Sequence, residues 1–298
     1  MTEEFAHLEA SSRRYLAGSD DARIRRIRTD RWITYERAEA ALGALHDVLQ
    51  FPKRTRMPNL ALVGPTNNGK TMIIEKFRRA YPVIEANRTP EGNAIVPVIK
   101  IQMSAGPDER RFFGAILDAV NFPYVPTESI AKRQDSAMRL MRSSRVDLLI
   151  IDEVHNLLSG SRLQQRRLLN LLRWIGNELQ IPLVAVGTHD ALHAIQSDDQ
   201  LANRFTPVGL PPWRDGDTYR KLLSTLEAVL PLKRPSHLQR PDLAVRILAS
   251  SEGILGEIIA LVTMAAVAAI QSGEECISTT LLDRCGFVAP SKRRRVAS

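Results

Sequence analysis

Apolar positions along the chain follow two rhythms. Mostly apolar runs recur at 60–63, at 95–103 and 146–151, these two interrupted by Lys100, Gln102 and Asp147, and at 181–187, with a shorter one at 206–210. Runs that do not alternate with polar residues predict strands covered on both faces of a parallel sheet. Between them, apolar residues return every three or four positions. Ala38, Ala41, Leu42, Leu45 and Leu49 do so ahead of Pro52, as do Met72, Ile73, Ile74 and Phe77, and then Leu168, Leu171, Leu172, Ile175 and Leu179. That spacing predicts amphipathic helices, and 111–120, 128–141 and 191–195 read the same way. Strands alternating with helices predict an α/β fold, a parallel sheet sandwiched by helices.

The pattern changes at Pro211-Pro212. Beyond it, helical stretches alternate with Pro231, Pro235, Pro241, Gly253 and Gly256, and no strand pattern returns. The division this predicts is an N-terminal helical segment (1–52), a sheet-bearing core (53–210), a small helical lid (211–286) and a basic tail (287–298) expected to be disordered. The uncharged run 258–270 is shorter than the roughly 20 residues of a bilayer span. Flanked by Glu257 and Glu274, it reads as a buried helix, and no membrane partner is expected.

Composition refines this only slightly. The 298 residues carry 41 Lys and Arg against 33 Asp and Glu, a net charge of +8, which favours a polyanionic partner. Cys276 and Cys285 have no histidines at metal spacing, and the first residues lack a basic stretch followed by an apolar one. Neither a disulfide framework nor a zinc site is expected, and a bacterial cytoplasmic location fits. The cluster Arg23, Arg25, Arg26, Arg28 and Arg31 is either a solvated helix face or a contact for nucleic acid or a partner.

Chemistry concentrates where strands end. The stretch Gly64-Pro65-Thr66-Asn67-Asn68-Gly69-Lys70-Thr71 fits G-x-x-x-x-G-K-[ST] between a strand and a helix. Such a loop wraps phosphate oxygens with backbone N–H groups, sends its lysine to the β and γ phosphates and holds Mg²⁺ with its hydroxyl. ATP and Mg²⁺ are therefore the expected ligands. The run 146–151 ends in Asp152-Glu153: Asp152 would hold the metal through water and Glu153 would orient the attacking water, unless the pair only caps the next helix. Thr188, closing the fourth strand, either touches the γ-phosphate or caps the helix after it. Arg204 is either presented to a neighbouring subunit as an arginine finger or is a plain surface arginine. Ile33 and Tyr35 either lie against adenine or form a packing staple. His155, a lone histidine, receives no role.

With the P-loop (Walker A), the strand ending in Asp152-Glu153 (Walker B), the Thr188 strand tip, Arg204 and the helical lid following in that order, the chain resembles an AAA+ ATPase, and more closely the TniB/TnsC transposition ATPases. The likeness is carried by Arg56-Met57-Pro58-Asn59-Leu60 running into the P-loop, by 104–110 (Ser-Ala-Gly-Pro-Asp-Glu-Arg), by Ile150-Ile151-Asp152-Glu153-Val154-His155-Asn156, by Gly187-Thr188, and by Glu252-Gly253-Ile254-Leu255-Gly256-Glu257. It implies a protein that binds double-stranded target DNA with little sequence preference when ATP is present. Such a protein assembles there as a homo-oligomer and recruits and stimulates a DDE transposase. It also implies a strand between the Walker A and Walker B strands, and DNA-facing loops whose candidates here are Arg110, Thr127, Lys132 and Arg133. One departure is the turn at Gly253, which lacks the sensor 2 arginine of many AAA+ lids, so turnover is expected to be slow. The alternative is a helicase loader or replication-initiation ATPase. Initiators of this architecture usually append a winged or helix-turn-helix reader, for which the residues after Gly286 leave no room.

Overall fold

The computed structural model describes residues 5–85, 89–90, 92–196 and 199–296. The ends of the expected N-terminal segment and basic tail, 1–4 and 297–298, lie outside them. The chain divides into two compact units. One comprises Ala40–Thr66 and Lys70–Leu210; the other comprises Met1–Glu39, Asn67–Gly69 and Pro211–Ser298. The residues expected as one N-terminal segment are thus shared out at Glu39.

The first unit holds a parallel sheet of β1 (Asn59–Val63), β2 (Val98–Gln102), β3 (Leu148–Asp152), β4 (Leu183–Gly187) and β5 (Phe205–Gly209), in the order β2-β3-β4-β1-β5. As expected, β4 separates the strand entering the P-loop from the one ending in Asp152. Three strands, β2, β3 and β4, begin later than the apolar runs suggest, and for β2 and β4 proline is the reason. Pro97 and Pro182 have no N–H to give a ladder; their carbonyls accept from Leu148 and Leu149 instead. Ile95 forms an isolated antiparallel bridge with Ile84.

Helices α4 (Lys70–Ala80), α5 (Glu109–Asp118), α6 (Ile130–Ser143), α7 (Arg162–Leu179) and α8 (His189–Gln196) belong to the same unit. Side chains start several of them. Asp108 accepts from Arg111 N–H, Ser129 accepts from Lys132 N–H, and Ser161 with Gln164 closes a capping box. The core joins Ile99, Phe113, Ile116, Leu149, Ile151 and Ile175, each almost fully buried.

The second unit is helical. It contains α1 (Ala10–Arg13), α2 (Asp20–Arg28), α10 (Asp217–Ala228), α11 (Pro241–Ser251), α12 (Leu255–Ser272), α13 (Thr279–Arg284) and α14 (Pro290–Val296). The helix α3 (Glu36–Leu49) carries the division between the units, and α9 (Asp199–Ala202) belongs to the sheet unit. By length and a mean hydropathy of 1.8, α12 could cross a membrane, yet half of it is buried as the central helix of this core. The tail departs from the expected disorder, because Pro290 can open a helix at no cost in hydrogen bonding.

The basic cluster in α2 is also corrected. Arg23 is fully buried: it donates to the Pro231 carbonyl at 2.8 and 3.0 Å and pairs with Asp20 and Glu275. Its pKa is raised, chiefly by the hydrogen bond to Glu275. Arg31 donates to the carbonyls of Val229, Arg26 and Ile27, and burial, then Arg26, lowers its pKa. Two of the five arginines therefore fasten the helical unit from within.

Candidate functional site

In the sheet unit, β1 delivers the chain to Gly64, where an added Cβ would lie 2.5 Å from the Leu210 carbonyl oxygen. Only glycine leaves the strand here without displacing backbone. After the turn α4 begins at Lys70, whose Nζ donates to the carbonyls of Gly64 (2.9 Å) and Pro65 (2.6 Å). Burial lowers the Lys70 pKa, while the nearby charges of Glu153 and Asp152 act against that shift. The next residue, Thr71, has its Oγ1 3.5 Å from Asp152 Oδ2. Asp152 ends β3, is buried, and accepts from the Glu153 N–H through Oδ1.

A hydroxyl and a carboxylate meeting at the first turn of a helix form an oxygen donor set suited to a magnesium ion that keeps most of its waters. Among the described residues no three His, Cys, Asp or Glu converge on a metal. Thr71 and Asp152 thus fit a cation delivered with a triphosphate.

A lysine absent from the sequence reading completes this cluster. Lys100 Nζ lies 3.3 Å from Asp152 Oδ2 and 2.9 Å from Glu75 Oε1. Glu75 also receives Arg78 on its other oxygen at 3.1 Å. Burial pushes the Glu75 carboxyl up, but Lys100 and then Arg78 more than offset it, and its pKa is lowered.

Glu153 sits beyond the end of β3 in the left-handed region, at φ 56° and ψ 37°. That conformation is uncommon for a residue with a Cβ and turns its side chain out of the strand path. Its Oε2 lies 3.0 Å from His155 Nδ1, off the line of a hydrogen bond. The sequence offered no signal for this approach beyond the two-residue spacing. Thr188 is half-buried just past the end of β4, and its carbonyl accepts from Leu192 N–H in the first turn of α8.

The middle of the P-loop, Asn67–Gly69, groups with the helical unit. Leu255 and Gly256 open α12, and their N–H groups have no partner within the helix. Asn68 Oδ1 accepts from Leu255 N–H and the Asn67 carbonyl accepts from Gly256 N–H, both at 2.9 Å. Asn67 Nδ2 donates to Glu257 Oε1 at 3.1 Å. Gly69, at φ +85°, has Tyr35 Oη and Leu255 Cδ2 where a Cβ would approach to 3.0 Å. The residues just after Gly253, where the sequence lacks a sensor 2 arginine, are thus bonded to the P-loop asparagines.

Tyr35 packs edge-on against Trp213, ring centroids 5.5 Å apart, and burial pushes its hydroxyl up to about 12. Ile33 is 7% exposed in the core of the helical unit, which is the packing alternative for that residue.

Arg204 precedes β5, and its Nη1 donates to Asn177 Oδ1 on α7 at 2.8 Å. Burial lowers its pKa, followed by the charges of Arg56 and Arg173, so three guanidinium groups crowd together.

The four candidate DNA residues divide. Thr127 is exposed, Lys132 is exposed and paired with Glu128, and half-buried Arg110 donates to the Pro126 carbonyl. Arg133 is a correction: it is 5% exposed, donates to the carbonyls of Arg110, Val125 and Pro126, and stacks over Tyr124 at 4.4 Å. Its buried guanidinium ties the first turn of α5 to the Val125-Pro126 turn rather than facing solvent.

Set against known proteins, residues 23–215 match the family described as Bacterial TniB protein. No curated protein matches the chain. Among solved structures, the Aeropyrum pernix ORC1 protein in complex with DNA aligns with a TM-score of 0.57 at 18% identity, over 92% of this chain and 69% of that one. The ADP form of the Aeropyrum pernix ORC2 protein gives 0.60 at 18%, over 88% and 71%. Cdc6p from Pyrobaculum aerophilum gives 0.59 at 17%, over 87% and 68%. At these identities the likeness establishes the fold: the AAA+ parallel sheet with its helical domain.

Proposed function

Because the chain belongs to the bacterial TniB family and has the AAA+ ATPase fold, we propose that it is an ATP-dependent, sequence-nonspecific DNA-binding protein that oligomerises on double-stranded DNA. In this reading it works in the bacterial cytoplasm, where it recruits and stimulates a DDE transposase. The observation that carries the reading is Thr71 Oγ1 facing Asp152 Oδ2 directly after Lys70, whose Nζ folds back onto the Gly64 and Pro65 carbonyls. The N–H groups of the turn and Lys70 would bind the phosphates of ATP, and Thr71 and Asp152 would hold magnesium, which when bound would supply positive charge to the phosphoryl oxygens. Glu153 orients the attacking water and accepts its proton. Thr188 reports on the γ-phosphate from the β4 tip, and Arg204 reaches the nucleotide of a neighbouring copy, so that ATP controls assembly.

Lys70→Ala tests this directly, with a fluorescent ATP analogue and sedimentation on DNA as readouts. Nucleotide binding and ATP-dependent assembly should both disappear; wild-type binding in the variant overturns the reading. A pull-down that prefers a replicative helicase to a transposase would move the protein to the loader class.

A further inference from the structure

Lys100 stands out on β2. The strand is otherwise apolar up to Gln102, and a lysine within it needs a reason. Register supplies the geometry: Gln102 lies opposite Asp152 across the β2–β3 ladder, and Lys100, two residues back, points to the same face of the sheet. On α4, Thr71 and Glu75 are four residues apart and share a face as well. The ammonium therefore stands between two carboxylates, 3.3 Å from Asp152 Oδ2 and 2.9 Å from Glu75 Oε1. The Asp152 oxygen it touches is the one that faces the Thr71 hydroxyl. Arg78 engages the other oxygen of Glu75, which leaves Oε1 to Lys100.

We propose that Lys100 is an internal cation that competes with magnesium for Asp152 Oδ2 and withdraws to Glu75 when the metal enters, thereby setting the magnesium concentration at which the nucleotide site fills. The proposal rests on the nucleotide-site reading above. One carboxylate oxygen cannot serve an ammonium and the hydration shell of a divalent ion equally, and like charges this close in a partly buried site repel strongly. Glu75 gives the displaced ammonium a partner, so that it is not left buried and unpaired.

A lysine that only steadied Asp152 would have the opposite effect, and this makes the test decisive. A fluorescent ATP analogue is titrated with magnesium chloride, from EDTA upward, against the full chain and its variants. Lys100→Met should lower the half-saturating magnesium concentration at least about tenfold, because a repelling charge is removed. Glu75→Gln, which leaves Asp152 as the only carboxylate partner, should raise it several-fold, and the double variant should behave as Lys100→Met. If Lys100→Met requires more magnesium, or the same amount, the proposal is overturned. Should Lys100→Met fail to fold by circular dichroism, Lys100→Gln and Glu75→Gln carry the same two signs, and a Glu75→Gln variant that needs less magnesium refutes it. An unaltered chain that binds no nucleotide at all removes the nucleotide-site reading itself, an outcome distinct from either sign.

Discussion

The amide of Asn68 offers the sharpest test of how the P-loop is built. The residue is 3% exposed, and its Oδ1 is a side-chain acceptor for the Leu255 N–H at the start of α12. Asn68→Ala leaves that buried donor without this partner. Losing an asparagine cap costs about 1–2 kcal/mol, and stranding a buried donor falls in the same range. At roughly 2–4 °C per kcal/mol for units of this size, the transition that melts the helical unit should fall by about 2–8 °C, read by differential scanning calorimetry.

Asn68→Asp separates capping from ligand binding. It keeps an oxygen for Leu255 N–H and places negative charge at a helix N-terminus, a favourable position by about 0.3–1 kcal/mol. It should therefore melt near the unaltered protein. The same carboxylate lies within the turn proposed to bind a triphosphate, so affinity for the fluorescent ATP analogue should drop at least about tenfold by repulsion. If Asn68→Ala melts like the unaltered protein, or Asn68→Asp melts as low as Asn68→Ala, the capping argument is wrong.

Four further outcomes follow from the geometry. Glu153→Gln should retain ATP and stay assembled on DNA, and normal phosphate release in that variant would exclude Glu153 as the water-orienting group. Arg133→Ala should lower thermal stability by about 2–3 kcal/mol through lost hydrogen bonds and stacking, without changing the salt dependence of DNA binding. Lys132→Ala should do the reverse, reducing the salt slope by about one unit, as expected for one phosphate contact. Finally, Glu275 has a lowered pKa: burial raises it, but Arg23 and the Lys233 N–H outweigh burial. A depressed carboxylate contributes stability above its ordinary value of 4.5 and loses it as pH falls through the folded value. Glu275→Gln should therefore flatten the acid limb below pH 4.5 in circular dichroism melts; an unchanged limb would remove the Arg23 pair as its source.

What could be read from the chain was what lies close together in it. The P-loop and Asp152-Glu153 pack their chemistry into consecutive residues, and the apolar runs beside them locate the strand ends. Arg133 was also open to reading, since it shares helical spacing with buried Ala137, Leu140 and Met141, which places it on the inner face of α6. Pairings over long separations were closed to inspection. Asn68 meets Leu255 187 residues away, and nothing local to either residue announces it. Lys100 showed as a lone charge in an apolar strand, but its partners depend on register and on the sheet order, which only folding fixes. The starts of β2 and β4 erred where a proline joined an apolar run without an N–H to join the ladder.

The buried Arg23 bears on how the protein is made. Its acceptors at Pro231 and Glu275 lie 208 and 252 residues further on. A ribosome emits about 5–20 residues per second, so this arginine waits roughly 13–50 s for its carboxylate. All the strands of the sheet leave the exit tunnel in that interval and can close on one another. The opening helix α2 meanwhile lacks α12, the helix it packs against, until residues 255–272 emerge. Translation order thus makes the nucleotide-gripping sheet the early product, and the helical unit the late one, exposed to chaperones and proteases until its final strap is tied.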